Sequence, residues 1–180
     1  MDDFGVKYEQ NNYITHILDS LKKNYNISED WYGNLYCGIN LKWYYYKMEV
    51  MGLMPNYVTK ALQKFQHTTP NCAQYAPHQW MRPHYCATKQ LANPLNTSPS
   101  IPEERKSSIQ KITGTFLYDA RAVDCTMLPP LNIISEQQPN PTKNNEAAIT
   151  HFLYYAATNP STIIYYKYSD MILHIDSDAS

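Results

Sequence analysis

The stretch 68–101 constrains this chain most. It carries Pro70, Pro77, Pro83, Pro94 and Pro99, with Pro102 just beyond, and shows neither a twofold nor a 3.6-residue apolar period. It reads as a long irregular loop, and loops of that length are usually functional or mobile. On its amino-terminal side the pattern mixes a helix with strands; on its carboxy-terminal side it is mainly helical. An α+β protein follows.

Before the loop, 1–8 alternates Phe4, Val6 and Tyr8 against Gly5 and Lys7, which predicts a strand. Over 9–25, Tyr13, Ile17, Leu18, Leu21 and Tyr25 fall at helical spacing and predict one apolar stripe facing a sheet. Segment 26–34 is rich in turn residues. The runs 35–43 and 47–54 predict a hairpin joined across Tyr44, Tyr45 and Tyr46. Pro55 suits the first turn of a helix, with Tyr57, Val58, Ala61, Leu62 and Phe65 as its apolar stripe and an end near His67.

After the loop, Glu103 and Glu104 favour a helix start through the helix dipole. Ile109, Ile112, Phe116 and Leu117 carry that helix to about Ala122. A shorter helix in 126–137 is expected only after Pro129 and Pro130. Ala148, Ile149, Phe152, Leu153 and Ala156 define another over 143–158, closed by Asn159-Pro160. Strands are expected at 162–167 and 171–176, as the opening of a new sheet. A hairpin alone at a terminus is marginal, so the chain reads as a fragment.

Charge names no partner: 15 Lys+Arg meet 16 Asp+Glu for a net charge of -1. With 43% hydrophobic residues the chain can bury a core. Seventeen tyrosines and five glycines suit half-buried sheets and wet grooves, because each tyrosine pairs an apolar ring with a hydroxyl that needs a partner when buried. No apolar run approaches a membrane span, and the first residues lack a signal-peptide pattern. Cys37, Cys72, Cys86 and Cys125 form no CxxC pair, which favours reduced thiols and an intracellular, cytoplasmic or nuclear location with no membrane partner.

Three constellations bear on chemistry. Asp2-Asp3 could hold Mg²⁺ if placed at a hairpin tip, since the ion takes hard oxygen ligands; the ordinary reading of an acidic dipeptide is a solvated one. Cys72, His78, His84 and Cys86 have zinc-type side chains, but their spacings match no compact zinc turn, and Trp80 and Tyr85 also fit a polar, aromatic loop. Lys60, Lys64, Arg82, Lys89, Arg105, Lys106 and Lys111 interleave with Phe65, Trp80 and Tyr85, a mixture suited to phosphates and stacked bases or to a solvated face. No GxSxG elbow, HExxH helix or Gly-rich phosphate loop occurs.

Taken in order, several segments resemble the reverse transcriptase of Ty/copia-type retrotransposon polyproteins. MDDFGVKY is similar to the catalytic strand-turn-strand motif, with Met1 in the aliphatic slot and Asp2 and Asp3 as its aspartate pair. NLYCGINLKW resembles the strand entering the hairpin that holds the primer end, and MPNYVTKALQKFQH the segment opening the thumb, with Asn56 in place of the usual Gly. Gly114, Leu117, Tyr118, Arg121 and Asp124 match a further block. The helix ending in HFLYYAATNP resembles the one before a short strand, and Asp178 in HIDSDAS matches the first metal-binding aspartate of ribonuclease H.

The resemblance implies a palm end at 1–54, a helical thumb at 55–160 and the first ribonuclease H strands at 161–180. It implies that Asp2 and Asp3 hold Mg²⁺ in the intact enzyme, and that Leu35, Tyr36, Cys37, Gly38 and Ile39 position the primer terminus through backbone contacts. Lys60, Lys64, Arg82 and Lys89 would then meet an RNA/DNA template–primer duplex. The fingers, the third palm carboxylate and the remaining ribonuclease H carboxylates fall outside these 180 residues, so the isolated chain is expected neither to polymerise nor to cleave. The alternative is a non-catalytic protein-interaction or nucleic-acid-binding module. Tyr44 to Tyr46 depart from the acidic or polar residues the family carries at the hairpin turn.

Overall fold

The structure, a computed structural model, describes residues 4–6, 8, 10–79 and 98–169. These fall into two compact units: the residues up to Leu53 together with those from Tyr165, and Met54–Ile164. The architecture is α+β, with five α-helices and a four-stranded sheet among the described residues.

In the first unit, α1 spans Asn11–Lys22. Its sheltered stripe is Ile14, Leu18 and Leu21, spaced i, i+4, i+7, with Ile14 buried. Tyr13 and Ile17, expected on that stripe, lie on the exposed side, and Tyr25 follows the helix. The sheltered positions are all aliphatic, and Tyr13 keeps its hydroxyl in water. Phe4, Gly5, Val6 and Tyr8, expected as a strand, are outside the sheet. A short alternation fixes no ladder without a partner strand. Gly5 instead runs beside the Tyr36 ring, and Tyr8 meets Trp31 edge to face at 6.2 Å.

The run 35–43 is not one strand. It divides into β1, Leu35–Tyr36, and β2, Ile39–Tyr44, across a two-residue turn in which Cys37 (φ 49°) and Gly38 (φ 72°) are both left-handed. Positive φ at both central residues is the turn whose twist suits a hairpin, and Tyr36 pairs with Ile39 across it. β3, Glu49–Leu53, returns antiparallel, from Tyr44 opposite Glu49 to Asn40 opposite Leu53. Between β2 and β3, Tyr45–Lys47 makes a single 3₁₀ turn closed by left-handed Met48. β4, Ile163–Lys167, lies next to β3 and completes the order β1-β2-β3-β4. It joins the hairpin sheet rather than opening a new one, since β3 offers an unpaired edge that a nearby strand satisfies. The strand expected at 171–176 is outside the described residues.

The second unit is helical. α2, Tyr57–Lys64, starts after left-handed Asn56, so Pro55 belongs to the preceding turn and not to the helix. It stops at a Schellman motif: left-handed Gln66 donates to the Gln63 carbonyl and His67 to that of Leu62, both at 3.0 Å. α3 covers Glu103–Ala122. A 3₁₀ turn at Cys125–Met127 leads into α4, Leu128–Glu136. Pro129 and Pro130 sit inside its first turn, where a missing N–H costs nothing, so the helix begins before them rather than after. α5, Lys143–Thr158, is opened by a capping box between Thr142 and Asn145. Segments around Ser100 and Thr142 pair antiparallel, with Ile101 donating to Pro141 and Lys143 to Pro99.

Val58, Ala61 and Leu62 of α2 join Ile109, Ile112, Phe116, Met127, Leu131, Ile149, Phe152 and Ala156 in one core. Phe116 and Phe152 are fully buried, edge to face at 5.2 Å. Leu117 is only part-buried and Ala148 exposed, each at the margin of its stripe. Part of the long loop is fixed: the Gln74 N–H donates to Thr158 Oγ1 at 2.9 Å, and the Ala76 carbonyl lies 3.0 Å from His151 Nε2.

Candidate nucleic-acid interface

Two surfaces carry the residues singled out by sequence, one on each unit. On the first, the turn Leu35–Ile39 is held by its neighbours. Asp30 accepts backbone N–H groups from Tyr32, Gly33, Asn34 and Leu35 at 2.8 to 3.2 Å. The bond from Leu35 leads the lowering of its carboxyl below the usual range. Leu41 N–H donates to the Asn34 carbonyl at 2.8 Å, and Trp43 Nε1 to the Gly33 carbonyl at 2.9 Å. Asp30 thus fixes the loop through its backbone, and the loop fixes β2. Leu35, Tyr36, Cys37 and Gly38 stay exposed and Ile39 part-buried, so the turn is open to solvent.

Glu29 pairs with Lys22 and accepts from Trp31 Nε1 at 2.9 Å. The Lys22 ammonium holds the Glu29 carboxyl low, and Glu29 in turn raises Lys22. Glu49 pairs with Lys167 at 3.6 Å.

On the second unit, Lys60 and Lys64 stand one turn apart on the solvent face of α2, opposite buried Val58, Ala61 and Leu62. Neither enters an ion pair among the described residues, and Lys64 Nζ sits 5.5 Å from the Phe65 ring centre. Arg105 and Lys106 are engaged with Glu146 and Glu103.

Asp2, Asp3, Asp178, Arg82 and Lys89 lie outside the described residues, as do His84 and Cys86. Cys72 and His78 are exposed. Among the described residues no three metal-ligating side chains gather, and no helix is long and apolar enough to cross a membrane.

Asp124, singled out above only as part of a matching block, is the buried centre of a polar cluster in the second unit that sequence reasoning missed. Asp124 Oδ1 accepts from the N–H and hydroxyl of Thr126, and Oδ2 from Thr162 Oγ1 at 3.0 Å. Thr126 Oγ1 is also 2.8 Å from the Tyr155 hydroxyl. Asp119, buried on α3 five residues before Asp124, has its carboxyl pushed up to about 6 by burial and then by the Asp124 charge. Tyr57, which donates to the Thr115 carbonyl at 2.8 Å, is raised by burial, Asp119 and Tyr118. The available signal was Asp-x-Thr ahead of a proline-opened helix, the pattern of a side chain capping its own turn. Nothing in the pattern marks Asp119, whose burial comes from tertiary packing. Its neighbour Arg121 is exposed, and Gly114 opens to solvent.

Comparison of the chain with protein-family models, with curated proteins and with solved structures found no match.

Proposed function

We propose that this chain is the palm end and thumb of a Ty/copia-type reverse transcriptase, and that its work is to grip an RNA/DNA template–primer duplex. The observation that supports this most is the Lys60–Lys64 face. Two cations, free of ion pairs among the described residues, project one helical turn apart from the segment that resembles the thumb opening. Two ammonium groups at that spacing suit successive phosphates, and phosphate contacts position a duplex without reading its sequence. The solvent-open Leu35–Ile39 turn is the primer-end contact in this reading. Asp2 and Asp3 are the Mg²⁺ ligands of the intact enzyme and Asp178 its first ribonuclease H aspartate, all three assigned on the resemblance.

Fluorescence anisotropy with a labelled RNA/DNA duplex tests the reading. Lys60→Glu with Lys64→Glu weakens binding at least about tenfold at low salt; equal affinity for the double variant and the parent refutes it. A protein-interaction module is the second reading, favoured by the exposed Trp43, Tyr45, Tyr46, Tyr165 and Tyr166. An apolar protein interface would hold its affinity as salt rises.

A further inference from the structure

At the tip of the β2–β3 hairpin, aromatic rings stand in water where a chain of this composition could have buried them. Tyr46 is fully exposed and Tyr45 is 78% exposed. Trp43 and Tyr45 lie nearly parallel, 12° between ring planes with centres 6.2 Å apart. The tip is braced from below. Trp43 is tied by its indole N–H to the Gly33 carbonyl, Gly33 packs on the same indole, and the Asp30 carboxylate fixes the loop that carries Gly33. Tyr168 N–H donates to the Met48 carbonyl at 2.9 Å, which anchors the far side of the turn. The rings are therefore carried by a backbone held at both ends, and little backbone ordering remains to be lost on contact.

The acidic groups near this tip are each engaged. Glu49 is engaged by Lys167, Glu29 by Lys22, and Asp30 by backbone N–H groups. Lys42 and Lys47 enter no ion pair among the described residues, and Lys47 Nζ sits 5.8 Å from the Tyr44 ring centre. Lys42 follows the alternation of β2 to the face opposite Trp43, whereas Lys47 lies within the tip turn itself, and flat π-faces on a turn that also carries a cation complement a polymer of flat bases joined by phosphates.

We infer that the hairpin tip, Trp43, Tyr45 and Tyr46 with Lys47 in the same turn, is a stacking platform for the unpaired bases of single-stranded nucleic acid. The inference rests on the nucleic-acid reading for its polymer class but uses a different surface from the Lys60–Lys64 face. It adds a single-strand contact to a duplex grip. Stacking needs only a π-face on each base, so the platform selects unpaired over paired nucleotides and carries little sequence preference.

The test uses the full chain with two labelled probes, an oligothymidylate of about ten nucleotides and an abasic oligomer of equal length, followed by anisotropy and by tryptophan fluorescence, with Trp43→Phe measured alongside to separate the Trp43 signal from that of Trp31 and Trp80. The expected result is quenching by the thymidylate and not by the abasic oligomer, with affinity for thymidylate reduced about tenfold in Tyr46→Ala and restored in Tyr46→Trp. Because the Tyr46 side chain contributes no buried surface, its removal leaves the fold in place, and circular dichroism checks this. Equal binding of both oligomers, or no change in Tyr46→Ala, overturns the inference. So does sedimentation showing that Tyr46→Ala dissolves a dimer while thymidylate affinity stays constant. A template–primer duplex measured alongside separates the claims. Duplex binding lost in Lys60→Glu/Lys64→Glu but kept in Tyr46→Ala upholds the grip whatever thymidylate does.

Discussion

Asp119→Asn stabilises the second unit, and by an amount that depends on pH. The Asp119 carboxyl is buried on α3 with the Asp124 charge nearby, which pushes its pKa from an ordinary 3.8 to about 6. Between those values the folded chain holds a proton that the unfolded chain has released, so stability falls as pH rises through that window and levels off above it. At about 1.36 kcal/mol per pKa unit the loss approaches about 3 kcal/mol at neutral pH. Asparagine has nearly the shape of the protonated acid and carries no charge at any pH, so the variant escapes the penalty. Urea unfolding of parent and variant, followed by circular dichroism, should give similar midpoints near pH 4 and a variant more stable by about 2 to 3 kcal/mol near pH 7.5. The facing groups, Asp124 and Tyr57, are relieved of the Asp119 charge in the variant, and that relief is part of the predicted difference. A gap that is constant with pH, or an asparagine variant less stable at pH 7.5, refutes the reasoning.

Three further outcomes follow from the same geometry. Phe116→Ala and Phe152→Ala should each cost about 3 to 5 kcal/mol in urea unfolding, with a coupling of about 1 kcal/mol in the double-mutant cycle, since both rings are fully buried and meet edge to face. Gly38→Ala should destabilise the β1–β2 turn by about 1 kcal/mol and Cys37→Asn should stabilise it by a few tenths, because φ is positive at both positions; amide exchange of Ile39 and Leu41 reads the turn. Asp30→Ala should speed amide exchange at Tyr32, Gly33, Asn34 and Leu35, and in the parent the same amides should loosen only as pH falls through the lowered Asp30 pKa.

The helices α3 and α5 are legible in the sequence to the residue. Glu103 and Asn159-Pro160 punctuate them, and a sustained 3.6-residue period fills them. The turn at Cys37–Gly38 was hidden inside an apolar run, because cysteine is not a usual left-handed residue and Gly38 alone reads as a strand glycine. In α1, period alone could not separate Ile14 from Tyr13. The choice rests on which hydroxyl the fold can leave in water. Placement of β4 beside β3 is a long-range pairing, which no local pattern encodes. Of the candidate interface, Lys60 and Lys64 could be placed on the solvent face by periodicity, whereas the Asp119–Asp124 cluster depends on which helices pack together.

The account turns on whether this chain grips a duplex by its phosphates. The most direct measurement is the affinity of the full chain for an RNA/DNA template–primer duplex across a salt series. Log affinity should fall linearly with log salt, and Lys60→Glu and Lys64→Glu should each reduce the slope by about one. An affinity independent of salt, or a slope unchanged in both variants, contradicts it.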